Sequence, residues 1–262
     1  MDLGLKDRVA IVTGGNRGIG YAISAELLKE GAHVVVASLD PARNADAIGT
    51  LKGKSNGRVI GVPTDLNDAA AVETLFKTTL AEFGRLDILV NNATNISQGS
   101  FFAMTEESWD HAFDSKLRGT VRCIRHAVPP MRERKWGRIV NISGGAAWTP
   151  QLGAITTGIN NAAVQNLTVA LANELAKDGI LVNAIVPTAV RTERHDKNIR
   201  EAMAKTGQSE AEVLKPRVAK VPLGRMGTAE EIATVAVFLA SERASFVTGS
   251  AWAVDGGVSA RL

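Results

Sequence analysis

A glycine-rich segment near the amino terminus carries the clearest chemical signal in the sequence. It reads TGGNRGIG over residues 13–20 and lies between an apolar run and a helical periodicity. Glycines at such a turn let the backbone approach a pyrophosphate, and the N-terminus of the following helix supplies N–H donors. The segment therefore predicts a dinucleotide cofactor. The residues expected to contact it are Gly14, Asn16, Arg17, Gly18, Ile19 and Gly20.

The elements that position this loop are predicted from seven short apolar runs. These runs alternate with helical periodicities. The runs cover residues 8–13, 33–37, 58–62, 86–90, 137–142, 181–186 and 250–254, and the periodicities include 21–30, 69–83, 107–126 and 160–177. Continuous Val/Ile runs are typical of strands covered on both faces, and strand–helix alternation favours a parallel sheet. We expect a Rossmann-type doubly wound α/β fold. It should have about seven parallel strands in a three-layer α/β/α arrangement, as one domain over residues 1–262.

One long interruption, residues 192–228, separates the sixth strand from the next helical periodicity. It is rich in charged residues and has the pattern of two helical pieces. In a doubly wound fold this position overhangs the carboxyl ends of the strands, where ligands bind. We expect it to form a substrate lid.

Composition narrows the class of protein. The 262 residues are 45% hydrophobic and 22% charged, with a net charge of +3 and one cysteine, Cys123. This excludes a disordered, collagen-like or disulfide-stapled chain. The charge is not clustered as in nucleic-acid binders, and no run approaches the length of a membrane span. The first strand pattern begins too early to leave room for a secretory leader, so we expect a soluble cytoplasmic protein without a metal site.

The spacing TGxxxGIG resembles the short-chain dehydrogenase/reductase family, and the resemblance extends over essentially the whole chain. Asp65 and Leu66 resemble the family's adenine-contacting pair. Residues 91–94 resemble its NNAG motif, with Thr94 where glycine is usual, and residues 183–187 resemble the motif before the nicotinamide site, with Thr188 in place of glycine. The resemblance implies an NAD(P) cofactor. Its further contacts would be Asp65, Leu66, Asn92, Ala93, Thr94, Pro187, Val190 and Thr192.

The choice between NADP and NAD depends on the end of the second strand. An acidic residue there accepts from both ribose hydroxyls and repels a 2′-phosphate. The chain has Ser38 at the position where NAD-preferring relatives often carry Asp, while Arg17 and Arg43 could reach a 2′-phosphate. Asp40 would favour NAD if it turned inward. The residues favour NADP, with NAD as the alternative.

The resemblance also implies a catalytic quartet of tyrosine, lysine, serine and asparagine. This chain has none of the four at the aligned positions. Aligned on the flanking motifs, the tyrosine position is Thr157, the lysine position Asn161, the serine position Gly144 and the asparagine position Lys116. The single tyrosine, Tyr21, belongs to the first helix. The threonine hydroxyl is far less acidic than a phenol and transfers protons poorly near pH 7.

Three residues could replace the missing groups. Lys116 would have a lowered pKa if partly buried and could act as an acid or anion anchor; the alternative is a surface helix lysine. Ser143 could bind a substrate oxygen, or it could bond to backbone at the strand end. His195 could swing over the pocket from the lid, or it could remain solvated. Phe101, Phe102 and Trp148 could line an apolar pocket or pack loops.

Three functions fit these residues. The first is an NAD(P)-dependent oxidoreductase with an atypical active site, acting on a carbonyl or alcohol of a small molecule. The second is an NAD(P)-binding pseudoenzyme that acts as a sensor or partner protein. The third is a non-redox enzyme that reuses the pocket. The family resemblance implies a homotetramer or dimer built on the helices at 107–126 and 160–177.

Overall fold

The seven apolar runs form a single parallel sheet in the order β3-β2-β1-β4-β5-β6-β7. The computed structural model describes residues 2–53, 57–96 and 99–259. The strands are β1 Val9–Thr13, β2 His33–Ser38, β3 Val59–Pro63, β4 Ile88–Asn91, β5 Gly137–Ile142, β6 Ile180–Pro187 and β7 Ala251–Val254. This confirms the predicted doubly wound α/β sheet, with strand ends that differ from prediction by up to two residues.

Nine α-helices lie among the described residues, and helices cover both faces of the sheet. They are α1 Gly18–Lys29, α2 Pro41–Lys52, α3 Ala69–Phe83, α4 Glu106–Phe113, α5 Gly119–Glu133, α6 Ile155–Leu175, α7 Glu193–Thr206, α8 Glu210–Val218 and α9 Ala229–Leu239. The last connection before α9 contains α7 and α8, which are the two helical pieces expected between residues 192 and 228.

Alternate residues of each strand pack against opposite helix layers. In β1, Ala10 and Val12 belong to the core beneath α1 and α9, whereas Ile11 belongs to the core beneath α3, α5 and α6. Successive side chains of a strand point to opposite faces, so a sheet covered on both sides requires apolar residues at every position. This explains the continuous apolar runs. Tyr21 packs against the first core, on the α1 side.

The prediction of one regular helix over residues 107–126 is wrong in two respects: the observed helix is interrupted, and it extends further. A π-helical segment, Asp114–Arg118, joins α4 to α5, and α5 continues through Pro129 and Pro130 to Glu133. A π segment adds a residue to the helical turn and is often found at functional sites. It turns Lys116 into the protein interior, where the side chain is 3% exposed.

The strand order reverses between β1 and β4, so the crevice at their carboxyl ends is where a doubly wound fold binds ligands. Thr13, at the end of β1, closes the floor of this crevice. Its hydroxyl accepts the backbone N–H groups of Asn92 (2.9 Å) and Ala93 (3.0 Å), while the Asn92 Nδ2 donates to the Thr13 carbonyl at 2.9 Å. These bonds hold the loops after β1 and β4 together.

Candidate cofactor cavity and catalytic region

A cavity of about 520 Å³ lies over the carboxyl ends of β1 to β4 and reaches the start of α7. Most of the residues predicted to contact the cofactor line it. They are Gly14, Asn16, Arg17, Gly18, Ile19, Ser38, Asp65, Leu66, Asn92, Ala93, Thr94 and Thr192. Three other predicted contacts, Gly20, Pro187 and Val190, are not among the lining residues.

The glycine loop forms one wall of the cavity. Its backbone adopts a conformation that residues with a Cβ rarely adopt. Gly14 has φ +64°, and a Cβ there would lie 2.9 Å from the Asn92 Nδ2 and 3.1 Å from the Ala93 Cα. Gly20 lies behind the loop, where a Cβ would collide with the Gly14 carbonyl oxygen. Gly20 therefore permits the close packing of α1 on the loop. Arg17, the N-cap of α1, makes no side-chain capping hydrogen bond.

Charged side chains line the cavity beside the end of β2, where Asp40 and Arg43 follow the strand. Asp40 caps α2 through its Oδ1, which accepts from the backbone N–H groups of Ala42 and Arg43 at 3.1 Å each, and its Oδ2 lies 3.3 Å from the Arg43 Nε. Ser38 hydrogen-bonds through its hydroxyl to the Asn44 Oδ1. Arg17 and Arg43 both line the cavity. The Asp40 carboxylate is thus occupied by the helix cap and an arginine.

The sequence did not predict Thr64, Asn67, Asn95 and Ser115, which also line the cavity. Thr64 and Asn95 follow strand ends, and that position would have signalled them. The Asn67 Oδ1 is buried and has no hydrogen-bond partner among the described residues. Such an oxygen is an acceptor available to a ligand in the cavity.

The candidate catalytic region includes Lys116, whose side chain lies inside the protein. Its Nζ donates to the Ile142 carbonyl at 2.6 Å, at the carboxyl end of β5. No carboxylate lies within ion-pair distance of it among the described residues. Burial lowers the pKa of Lys116 from 10.5 to about 8. Of the two sequence interpretations, the surface lysine is therefore wrong.

Gly144 and Asn161, at the aligned serine and lysine positions, lie next to each other. The backbone at Gly144 is extended, and a Cβ there would be 2.8 Å from the Asn161 Nδ2. Asn161 is 5% exposed and lies in the second turn of α6, with Thr157 one turn before it. The Asn161 amide therefore occupies the space that a side chain at position 144 would need.

The hydroxyl of Ser143 is held by protein groups. It donates to the Asn161 carbonyl at 3.1 Å and accepts from the Gln165 Nε2 at 2.9 Å. The Gln165 Oε1 in turn accepts from the Trp148 Nε1 at 2.6 Å. Trp148 is therefore tied to α6, and the structure matches the alternative in which Ser143 bonds to backbone.

His195 faces the neighbouring helix and does not line the cavity. Its Nε2 lies 2.7 Å from the Arg217 Nη1 of α8. Burial, and next the Arg217 charge, lower the pKa of His195 from its ordinary value of 6.5. The expectation that His195 could swing over the pocket has no support in this arrangement.

The segment after β6 completes the region. Ala189 has φ +55°, which is unusual for a residue with a side chain, and Val190 forms a β-bridge with Gly227. The Thr188 Oγ1 is buried without a hydrogen-bond partner in the described part of the chain. Over the same residues, no three His, Cys, Asp or Glu side chains are grouped to hold a metal, and no helix is long and apolar enough to cross a bilayer.

Comparison with known proteins gives consistent matches along the whole chain. Residues 14–259 match a family model described as enoyl-(acyl carrier protein) reductase. The (2S)-[(R)-hydroxy(phenyl)methyl]succinyl-CoA dehydrogenase subunit BbsD of Thauera aromatica is 33% identical over 98% of both chains. The L-sorbose reductase of Gluconobacter frateurii, solved with NADPH and L-sorbose, is 34% identical over 100% of both chains, with a TM-score of 0.97. YwfH, an NADPH-dependent reductase involved in bacilysin biosynthesis, is 29% identical over 97% of this chain and 99% of its own, with a TM-score of 0.91.

Proposed function

Because the chain belongs to the short-chain dehydrogenase/reductase family, we propose that it is an NADP(H)-dependent oxidoreductase. It would interconvert a carbonyl and an alcohol on a small molecule, with an atypical active site. One observation carries the proposal: the glycine loop, the ends of β2 and β3 and the Asn92 turn line a single cavity at the strand-order reversal.

The residues present fit a dinucleotide. Gly14 leaves a cradle that a Cβ would fill, and the N-cap residue of α1 makes no side-chain capping hydrogen bond, which suits a pyrophosphate. The unpartnered Asn67 Oδ1 is an acceptor at the β3 side of the cavity, next to Asp65 and Leu66. The cofactor would be held by these groups and by Asn92 and its neighbours.

The charges favour NADP over NAD. The Asp40 carboxylate caps α2 through its Oδ1 and pairs with Arg43 through its Oδ2, so part of its capacity to accept from ribose hydroxyls is used within the protein. Arg17 and Arg43 both line the cavity, and arginine is well suited to bind a phosphate. Two of the solved relatives are described with NADPH, in agreement with this preference. NAD is the alternative.

We assign Lys116 the role of acid or anion anchor: its Nζ lies at the Ile142 carbonyl, at the carboxyl end of β5, although it is not among the residues that line the cavity. When bound, the nicotinamide supplies or accepts the hydride. With a pKa near 8, the Lys116 amine exchanges a proton close to neutral pH, and its charge would stabilise negative charge developing on a nearby substrate oxygen. Thr157 and Asn161 occupy the remaining quartet positions on α6 and would orient the substrate, while Ser143 would support them from beneath.

A pseudoenzyme is the second candidate. It is favoured by the bonds of the Ser143 hydroxyl, which both go to protein groups, and by the Thr157 alcohol at the tyrosine position. Loss of a positioned general acid lowers rates by roughly 10²–10⁴. We therefore expect slow turnover of simple ketones and secondary alcohols, and brisk reduction of such compounds would contradict this expectation.

The proposed function is tested by titration with NADPH and NADH, monitored by cofactor fluorescence, followed by a panel of carbonyl substrates. Binding of NADPH with measurable turnover supports the oxidoreductase. Binding without turnover of any carbonyl favours the pseudoenzyme. Absence of binding by both cofactors refutes both proposals.

A restored quartet tests the alignment of the catalytic positions. The variant combines Lys116→Asn, Gly144→Ser, Thr157→Tyr and Asn161→Lys. If these are the family's catalytic positions, the fourfold variant gains turnover on simple ketones over the wild type. Tyr21→Phe is the matched control and should leave turnover unchanged.

A homotetramer or dimer and a cytoplasmic location remain our predictions. The oligomer would use the π-interrupted helix pair α4–α5 together with α6, on which Val169 is 47% exposed. Light scattering after size exclusion measures the assembly. A monomer at micromolar concentration contradicts the prediction.

A further inference from the structure

Two polar contacts hold α7 against α8. Arg191, just before α7, binds the Asp196 Oδ1 through its Nε at 2.8 Å and the Glu210 Oε1 through its Nη2 at 2.9 Å. The Arg217 Nη1 lies 2.7 Å from the His195 Nε2. The first contact links ions, whereas the second links a guanidinium to an imidazole.

The second contact requires a neutral histidine. A guanidinium only donates hydrogen bonds, so the His195 Nε2 must accept and its ring proton must be on Nδ1. That Nδ1 is buried and has no hydrogen-bond partner among the described residues. No carboxylate is therefore in place at Nδ1 to stabilise a doubly protonated ring.

The charges around His195 oppose its protonation. Arg217 faces it from α8, and Arg191 faces it from the segment before α7. Asp196, on the same helix, is the one acid acting on the ring in the described part of the chain, and its carboxylate is bound by Arg191. Protonation would replace the acceptor at Nε2 by an N–H directed at a guanidinium. The contact between His195 and Arg217 would then be lost.

The same helix forms part of the cofactor cavity. Thr192, Glu193 and Arg194, at the N-terminus of α7, line the cavity, and His195 follows them directly. A change in how α7 rests on α8 therefore moves one wall of the cavity.

We propose that His195 and Arg217 form an acid-labile clasp that positions α7 against the cofactor cavity. Both are positioning residues, because neither lines the cavity. The effect on cofactor binding rests on the proposed function, whereas the opening of the clasp does not.

The sign of the pH effect follows from the lowered pKa of His195. At pH values between the lowered pKa and 6.5, the open state binds more protons than the closed state. The opening equilibrium is therefore independent of pH well above 6.5, and it shifts toward the open state as the pH falls below 6.5. The opening equilibrium rises by up to about tenfold per pH unit until the pKa of the closed state is reached.

Hydrogen exchange of α7 in the cofactor-free protein tests the clasp itself. His195→Gln keeps a side-chain acceptor but cannot titrate, and His111→Gln is the matched control on α4. As the pH falls from 7.5 to 5.5, we expect the backbone amides of α7 to exchange increasingly faster in the wild type and in His111→Gln than they do in His195→Gln. Equal exchange in the wild type and His195→Gln at every pH overturns the proposal.

Cofactor affinity tests the consequence. The NADPH dissociation constant of the wild type is divided by that of His195→Gln at each pH. Because the cofactor's own phosphate titrates in the same way with both proteins, its effect cancels in this ratio. We expect this ratio to be near one at pH 8 and to rise several-fold at pH 5.5. If NADPH fails to bind at pH 8, the proposed function is wrong while the exchange result still decides the clasp. A pH-independent ratio, despite pH-dependent exchange, refutes the coupling of the clasp to the cavity.

Discussion

Replacement of Lys116 by methionine tests the central electrostatic feature of the site. The substitution keeps most of the side-chain volume and removes a buried ammonium that has no carboxylate partner in the described part of the chain. Its pKa of about 8, against 10.5 in the unfolded chain, corresponds to an unfavourable contribution of about 3 kcal/mol when both states are protonated. The Ile142 carbonyl loses its Lys116 partner in the variant, which costs about 1–3 kcal/mol.

The two effects depend differently on pH. Between about pH 8 and 10.5 the unfolded wild type binds more protons than the folded protein, so its stability rises with pH. The cost of leaving the Ile142 carbonyl without this partner in the variant is independent of pH. We expect Lys116→Met to be at least as stable as the wild type at pH 7 and less stable at pH 10. The difference in free energy of unfolding should change by about 2–3 kcal/mol across this range.

Urea unfolding followed by circular dichroism at pH 7, 8, 9 and 10 measures this change. Lys77→Met is the matched control, because it removes an exposed lysine from α3. The control should follow the wild type at every pH. A difference between wild type and Lys116→Met that stays constant within about 0.5 kcal/mol would refute the assignment of a buried ammonium.

Three further predictions concern the cavity, the catalytic region and the core. Arg17→Glu should weaken NADPH binding by about tenfold or more relative to NADH, measured by fluorescence titration, because it reverses a charge that lines the cavity; an unchanged ratio would contradict the NADP assignment. Gly144→Ala should destabilise the wild type much more than it destabilises the Asn161→Ala variant, since the new Cβ meets the Asn161 amide at 2.8 Å. Additive effects of the two substitutions, in a double-mutant cycle measured by thermal unfolding, would disprove that contact. Cys123 should not react with a thiol reagent until the protein unfolds, because it is buried and burial raises the pKa of its thiol to about 12; rapid labelling of the native protein would argue against this packing.

Helix α2 shows where sequence patterns are informative and where they stop. The strands are recognisable because both faces of the sheet are covered, which demands apolar residues at every position. The buried face of α2 consists of Asn44, Ala47 and Leu51, so its apolar stripe is too weak to predict a helix from periodicity. Its visible signal is local: Asp40 as the cap and Pro41 in the first turn.

The catalytic region shows a different limit. The residue types at positions 116, 143 and 195 left two interpretations open for each. In the structure each side chain contacts a group distant in the chain: the Ile142 carbonyl for Lys116, the Asn161 carbonyl for Ser143 and Arg217 for His195. None of these partners follows from spacing, because each depends on how a helix packs on a strand end or on another helix.

The sequence by itself determined the parallel α/β sheet and the glycine loop, because strand periodicity and turn chemistry are properties of neighbouring residues. It also determined that the chain has a single tyrosine, Tyr21, and that this residue is not at the aligned tyrosine position. Only the tertiary structure decided that Lys116 is buried with a lowered pKa and that the Ser143 hydroxyl is occupied. Burial and hydrogen bonding arise from contacts between distant segments, and these contacts, more than residue type, set the protonation and reactivity of a side chain.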